Sequence, residues 1–119
     1  MSAEEFRRFG HLVVDWIADY RARVAAAPIR RSVQPGDVLR ALPEAPPADP
    51  EGFAAVLADV ERLLEPASPP WQHPRFFAYF PSNGDLAAVL GDFLSSGLGV
   101  LGLNWAAAPA LTELEQRAV

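Results

Sequence analysis

At 119 residues, 50% of them hydrophobic and 21% charged, the chain is long enough for one compact domain and too apolar to be disordered throughout. A formal charge of −5, with every basic residue an arginine, excludes the basic footprint that binding a nucleic-acid backbone requires. The lack of cysteine excludes a disulfide frame and thiolate chemistry, and the lack of lysine excludes an imine between a side chain and a carbonyl cofactor.

Ser2 and Glu5 stand at capping-box spacing, and Phe6, Phe9, Val13, Trp16, Ile17, Tyr20 and Val24 then recur at steps of three and four. The pattern predicts an amphipathic helix over residues 3–26, stopped by Pro28. Its aromatic stripe suits packing on a core or on another protein surface. A membrane-surface helix would carry more basic residues on its polar face, whereas here Glu4, Glu5, Asp15 and Asp19 dilute the arginines. Residues 27–50 are punctuated by prolines and read as a connector, with one short helix over 37–42 after the Pro35-Gly36 turn. Asp49 as cap and Pro50 as first residue predict a second long helix, with Phe53, Val56, Leu57, Val60, Leu63 and Leu64 in helical period until Pro66. The long arm between the two helices suggests that they run in opposite senses.

The stretch "HPRFFAYFPSNGD", residues 73–85, places four aromatic rings in five positions between two prolines. Pro74 and Pro81 push the preceding His73 and Phe80 away from helical dihedrals, so an extended run is expected. Four buried rings would remove roughly 600–1,000 Å² from water, a gross drive of about 15–25 kcal/mol at most. Such a run is either a core strand or the wall of an apolar pocket in which a ligand stacks on rings, with Tyr79 and Ser82 as polar handles. Ser82, Asn83 and Gly84 make a turn, and Asp85 caps a helix carrying Leu86, Val89, Leu90, Phe93 and Leu94. "SSGLGVLGL" is suited to close backbone approach. Pro109 opens a last helix with Leu111, Leu114 and Val119, which carries no terminating signal and reads as cut off.

Catalytic constellations are missing. His11 and His73 have no metal-ligand spacing, and carboxylate pairs such as Asp15 with Asp19 or Glu113 with Glu115 read as solvated faces. "GLGVLG" has the glycine spacing of a dinucleotide fingerprint but follows a predicted helix where a strand is required.

The segments "HPRFFAYFPS" and "LGDFLSSGLGVLGLNWAAAPALTELE", preceded by "EEFRRFGHLVVDWIADY", resemble the N-terminal part of the group II pyridoxal-phosphate-dependent amino-acid decarboxylases, the aromatic L-amino-acid decarboxylase type. The resemblance runs over essentially the whole chain. It implies a mostly α chain: the N-terminal helical segment of a pyridoxal-phosphate fold type I, aspartate-aminotransferase-like α/β subunit, truncated before the large domain. Residues 1–70 would be a helical arm, and 71–119 an aromatic pocket segment plus the start of the cofactor domain. It also implies a homodimer, in which Trp71, Tyr79, Phe80, Pro81 and Ser82 of one subunit and Leu101 and Leu103 of its neighbour contact an aromatic or other bulky amino-acid substrate. Leu103 departs from the aromatic residue of many aromatic-specific members, and Asn83-Gly84-Asp85-Leu86 from their serine- and tyrosine-containing turn.

In the resembled family, the lysine that holds pyridoxal phosphate and the groups that bind the cofactor's ring and phosphate lie downstream of this region. No residue here is therefore expected to be catalytic, cofactor-binding or metal-binding, and the chain is expected to be inactive by itself. The expected partners are a second decarboxylase subunit and an amino acid, with neither nucleic acid nor membrane. Because the start has no signal-peptide core, the expected compartment is the cytoplasm. The alternative is a non-enzymatic helical interaction module derived from such an enzyme, acting through the apolar stripe of the first helix. A weaker third reading is a small-molecule binder that uses the aromatic wall.

Overall fold

The structure is a computed structural model that describes residues 1–80 and 84–119. Among them the regular structure is helical and no strand occurs. The chain divides into two units, Met1–Pro81 and Ser82–Val119, rather than the single compact domain that its length suggests.

In the first unit, helix α1 spans Ala3–Arg23 and a 3₁₀ turn, Val24–Ala26, completes it. Its start follows the capping-box expectation: the Glu5 N–H donates to Ser2 Oγ at 3.1 Å and the Ser2 N–H donates to Glu5 Oε2 at 2.7 Å. Glu4 and Glu5 at the N-terminus and Arg21 and Arg23 in the last turn oppose the helix dipole. The hydrogen bond from the Ser2 backbone, followed by that from its hydroxyl, holds the Glu5 carboxyl below its ordinary value. A depressed acid stabilises the fold above its unfolded pKa and loses that effect as pH falls through the folded one. Far-UV circular dichroism should therefore show α1 fraying on acidification below the usual glutamate range, a response that Glu5→Ala abolishes. Ser2→Ala should weaken the helix by about 1 kcal/mol at neutral pH.

After the short helix α2, Asp37–Ala41, a second long helical stretch begins with α3, Phe53–Asp59. Its cap is Gly52, not Asp49, and Pro50 lies outside it. It passes through a wide π turn at Val60–Leu64 into α4, Glu65–Ala67, which contains Pro66. Pro66 cannot donate to the Arg62 carbonyl, and its ring would clash there in a regular α turn. Widening the turn before it lets the helix continue past the proline that was expected to stop it.

Phe9 stacks on Phe53 with centroids 4.8 Å apart, and the Trp16 indole N–H donates to Glu61 Oε1 at 2.9 Å. The contacts advance along both helices together, so α1 and α3 run parallel and not in opposite senses. The connector crosses back, pinned by Arg31, whose Nε donates to the Ser68 carbonyl and whose Nη2 pairs with Glu65, both at 3.2 Å.

In the second unit, Asp85 caps α5, Leu86–Leu98, by accepting the Ala88 N–H at 2.7 Å. Gly99 ends it with φ of +62°, a left-handed cap that suits glycine. Of the glycines in this run, Gly102 makes the expected close approach, since a Cβ there would lie 3.7 Å from Leu111 Cδ1, whereas one on Gly97 or Gly99 would meet nothing within 4 Å. Helix α6, Pro109–Ala118, opens on proline as expected. Trp105 Nε1 donates to Glu113 Oε1 at 2.9 Å and so ties the preceding loop to it.

Little of this chain is interior. Among the described residues the buried hydrophobic ones are Val24 and Ala108, at 5% and 3% exposure, while Phe6, Leu12, Leu39, Leu94, Leu98, Leu101 and Trp105 stand exposed. No helix among the described residues is long and apolar enough to cross a membrane.

Candidate functional site

The proline-bracketed stretch folds as successive turns rather than as an extended run. Pro70, fully buried, accepts the His73 N–H at 2.9 Å, and the His73 carbonyl accepts the Phe76 N–H at 2.9 Å. Between these two turns the His73 ring folds inward to 4% exposure, and its Nδ1 accepts the Arg75 N–H at 3.0 Å. Two prolines remove N–H donors from this region, which favours closure by carbonyls and a side-chain acceptor over a strand ladder.

The turns gather three rings. Trp71 stacks on Phe76 at 5.4 Å and on Tyr79 at 5.5 Å, the second pair nearly parallel at 14°, and Phe76 meets Tyr79 at 6.5 Å. Tyr79 reaches this position with φ of +59°, in the left-handed region that an aromatic residue rarely adopts. Stacking with Trp71 offsets part of that strain. Phe77 and Phe80 are 88% and 100% exposed. These rings do not form the core strand considered above.

Of the residues singled out from sequence, the structure brings Trp71 and Tyr79 into contact and leaves Phe80 exposed next to them. Pro81 and Ser82 lie outside the described residues. Leu101 and Leu103 belong to the second unit, both exposed, in a turn closed by the Leu103 N–H on the Leu101 carbonyl at 2.8 Å. Asn104 Oδ1 accepts the Ala107 N–H at 2.9 Å directly after them. Phe76 completes the ring cluster and His73 organises its turn. The spacing of a histidine three residues before an aromatic residue, next to a proline, is the signal that marks both.

Among the described residues no group of three potential ligands gathers to hold a metal. The described residues of the site offer ring surface and turn geometry.

Residues 35–119 match the family model described as the pyridoxal-dependent decarboxylase conserved domain. Tyrosine decarboxylase 4 of Petroselinum crispum is 48% identical over 115 residues, covering 97% of this chain and 23% of that protein. Phenylacetaldehyde synthase of Arabidopsis thaliana is 46% identical, over 97% of this chain and 24% of that protein. The structure is similar to tryptophan decarboxylase of Catharanthus roseus in complex with L-tryptophan, with a TM-score of 0.88 and 39% identity over 97% of this chain and 25% of that one. It is also similar to 4-hydroxyphenylacetaldehyde synthase of Rhodiola rosea, with a TM-score of 0.92 and 38% identity over 100% of this chain and 26% of that one. The chain thus spans about a quarter of the length of these relatives. With the family model covering most of its residues and the helical architecture matching solved decarboxylases, this chain belongs to the pyridoxal-dependent decarboxylase family.

Proposed function

We propose that the chain serves a pyridoxal-phosphate-dependent carboxy-lyase acting on an aromatic L-amino acid, supplying a wall of the substrate pocket and contacts between two like subunits, and that it is inactive by itself. The carrying observation is the exposed pair Phe77 and Phe80 beside the stacked Trp71, Phe76 and Tyr79. Ring faces left open in this way suit an aromatic side chain from the substrate. Trp71, Tyr79, Phe80, Pro81 and Ser82 would belong to the wall of one subunit, and Leu101 and Leu103 to that of its neighbour. The exposed Phe6, Leu12 and Val14 of α1 would lie on the partner subunit, and a cytoplasmic setting suits a chain without cysteine.

The family's cofactor does not fit the residues present here. No lysine exists to hold pyridoxal phosphate, and the aromatic turn presents no charged side chain to its phosphate other than the exposed Arg75. The chemistry therefore belongs to other polypeptide.

Purified chain mixed with pyridoxal phosphate and L-tyrosine should release no carbon dioxide. Borohydride reduction should leave no cofactor adduct except on the N-terminal amine. Adding a decarboxylase subunit deleted of the matching segment should restore carbon dioxide release. Turnover by the chain alone, or a complex that assembles without regaining turnover, would reject the proposal, and the second result would favour a purely non-enzymatic interaction module.

A further inference from the structure

We propose that His73 is a positioning residue for the aromatic wall, acting through Nδ1 on the Arg75 N–H to lock the double turn that stacks Trp71, Phe76 and Tyr79. The inference rests on the wall reading above and extends it to a residue that touches no substrate.

Three observations support it. The imidazole lies at the centre of the turn: its own backbone N–H closes on Pro70, its carbonyl takes the Phe76 N–H, and its side chain takes the Arg75 N–H between them. The N–H groups of His73, Arg75 and Phe76 are thereby all bonded within the turn, which fixes the chain direction after Pro74. Secondly, an Nδ1 that accepts a hydrogen bond leaves the ring proton of the neutral imidazole on Nε2, and that atom is buried without an acceptor among the described residues. A buried orphan donor is unfavourable, so stability alone gives no reason for a histidine here. Thirdly, the rings that depend on this turn are not locked by a core, because Trp71 and Tyr79 are both exposed and Tyr79 is held at positive φ. Their mutual stacking therefore depends on the turn beneath them.

The group that matters is then a short side-chain acceptor two residues before the Arg75 N–H, a geometry that asparagine and serine also supply. The test uses the complete holoenzyme. His73→Ala should raise KM for L-tyrosine about tenfold, the effect of losing one positioning hydrogen bond of the usual net strength, with kcat within about threefold. His73→Asn should keep KM within about twofold, since its amide oxygen retains an acceptor for the Arg75 N–H. A native KM in His73→Ala overturns the proposal, and so does a His73→Asn variant as impaired as alanine. Where His73→Ala does not fold, His73→Asn decides on the same criterion. Phe80→Ala run in parallel separates the two readings. If it raises KM while the His73 variants leave KM unchanged, only the positioning role falls; if Phe77→Ala and Phe80→Ala both leave KM unchanged, the wall reading falls.

Discussion

Heated by itself, the chain should lose its helical signal gradually and give no cooperative calorimetric transition of full enthalpy. A globular protein of this length absorbs roughly 80 kcal/mol on unfolding; less than half of that should appear. The reason is area. A compact chain of 12.9 kDa exposes about 6,300 Å², and this one exposes 9781 Å². Division into two bodies accounts for only about a third of that excess on the same scaling. Exposed apolar side chains stand on α1, on α5 and in the turn at Leu101 and Leu103. With Val24 and Ala108 the buried hydrophobic residues among those described, little apolar burial is left to offset backbone entropy. Differential scanning calorimetry and light scattering decide the matter together. A sharp transition of full enthalpy in a monodisperse monomer would mean that the exposed surface is not an interface, and the proposed role of the chain would fail with it.

What could be read from the sequence was what depends on near neighbours. The Ser2–Glu5 box, the Asp85 cap and Pro109 at a helix start each act within one turn, and the structure realises all three. Features that depend on distant partners were not legible. The relative sense of α1 and α3 follows from the course of the connector, and that course depends on Arg31 reaching Glu65 and Ser68, contacts that span more than thirty positions. The Asp49-Pro50 pair has the chemistry of a helix start, yet Phe53 on Phe9 makes the later start at Gly52 the one that packs.

In the aromatic stretch, proline and β-favouring rings argued for extension, but a strand needs a neighbouring strand and the described residues provide none. The carbonyls of Pro70 and His73 and the His73 ring close turns instead. Tyr79 at φ of +59° was beyond reach for the same reason: its left-handed backbone is sustained by Trp71 eight residues earlier, not by any local preference for that conformation. Nor could composition tell a ring that packs on its neighbours, such as Phe76, from one that faces outward, such as Phe80.

Phe80→Ala should separate the chain's own stability from its role in the assembled enzyme. In the isolated chain the ring is 100% exposed, so its removal should leave helix content and association of the first unit unchanged. In the complete holoenzyme the same substitution should raise KM for an aromatic amino acid about thirtyfold, the equivalent of the ~2 kcal/mol gained when a phenylalanine-sized surface is covered. Because ring contact is uniform binding, kcat should fall far less than kcat/KM. Phe77→Ala, equally open in the chain but on the other side of Ala78, provides the comparison: the variant with the larger KM effect identifies which ring faces substrate and which faces protein. An assembled enzyme in which both alanine variants keep their native KM, and lose only thermal stability, would show that these rings are buried against the partner subunit and that the substrate is held elsewhere.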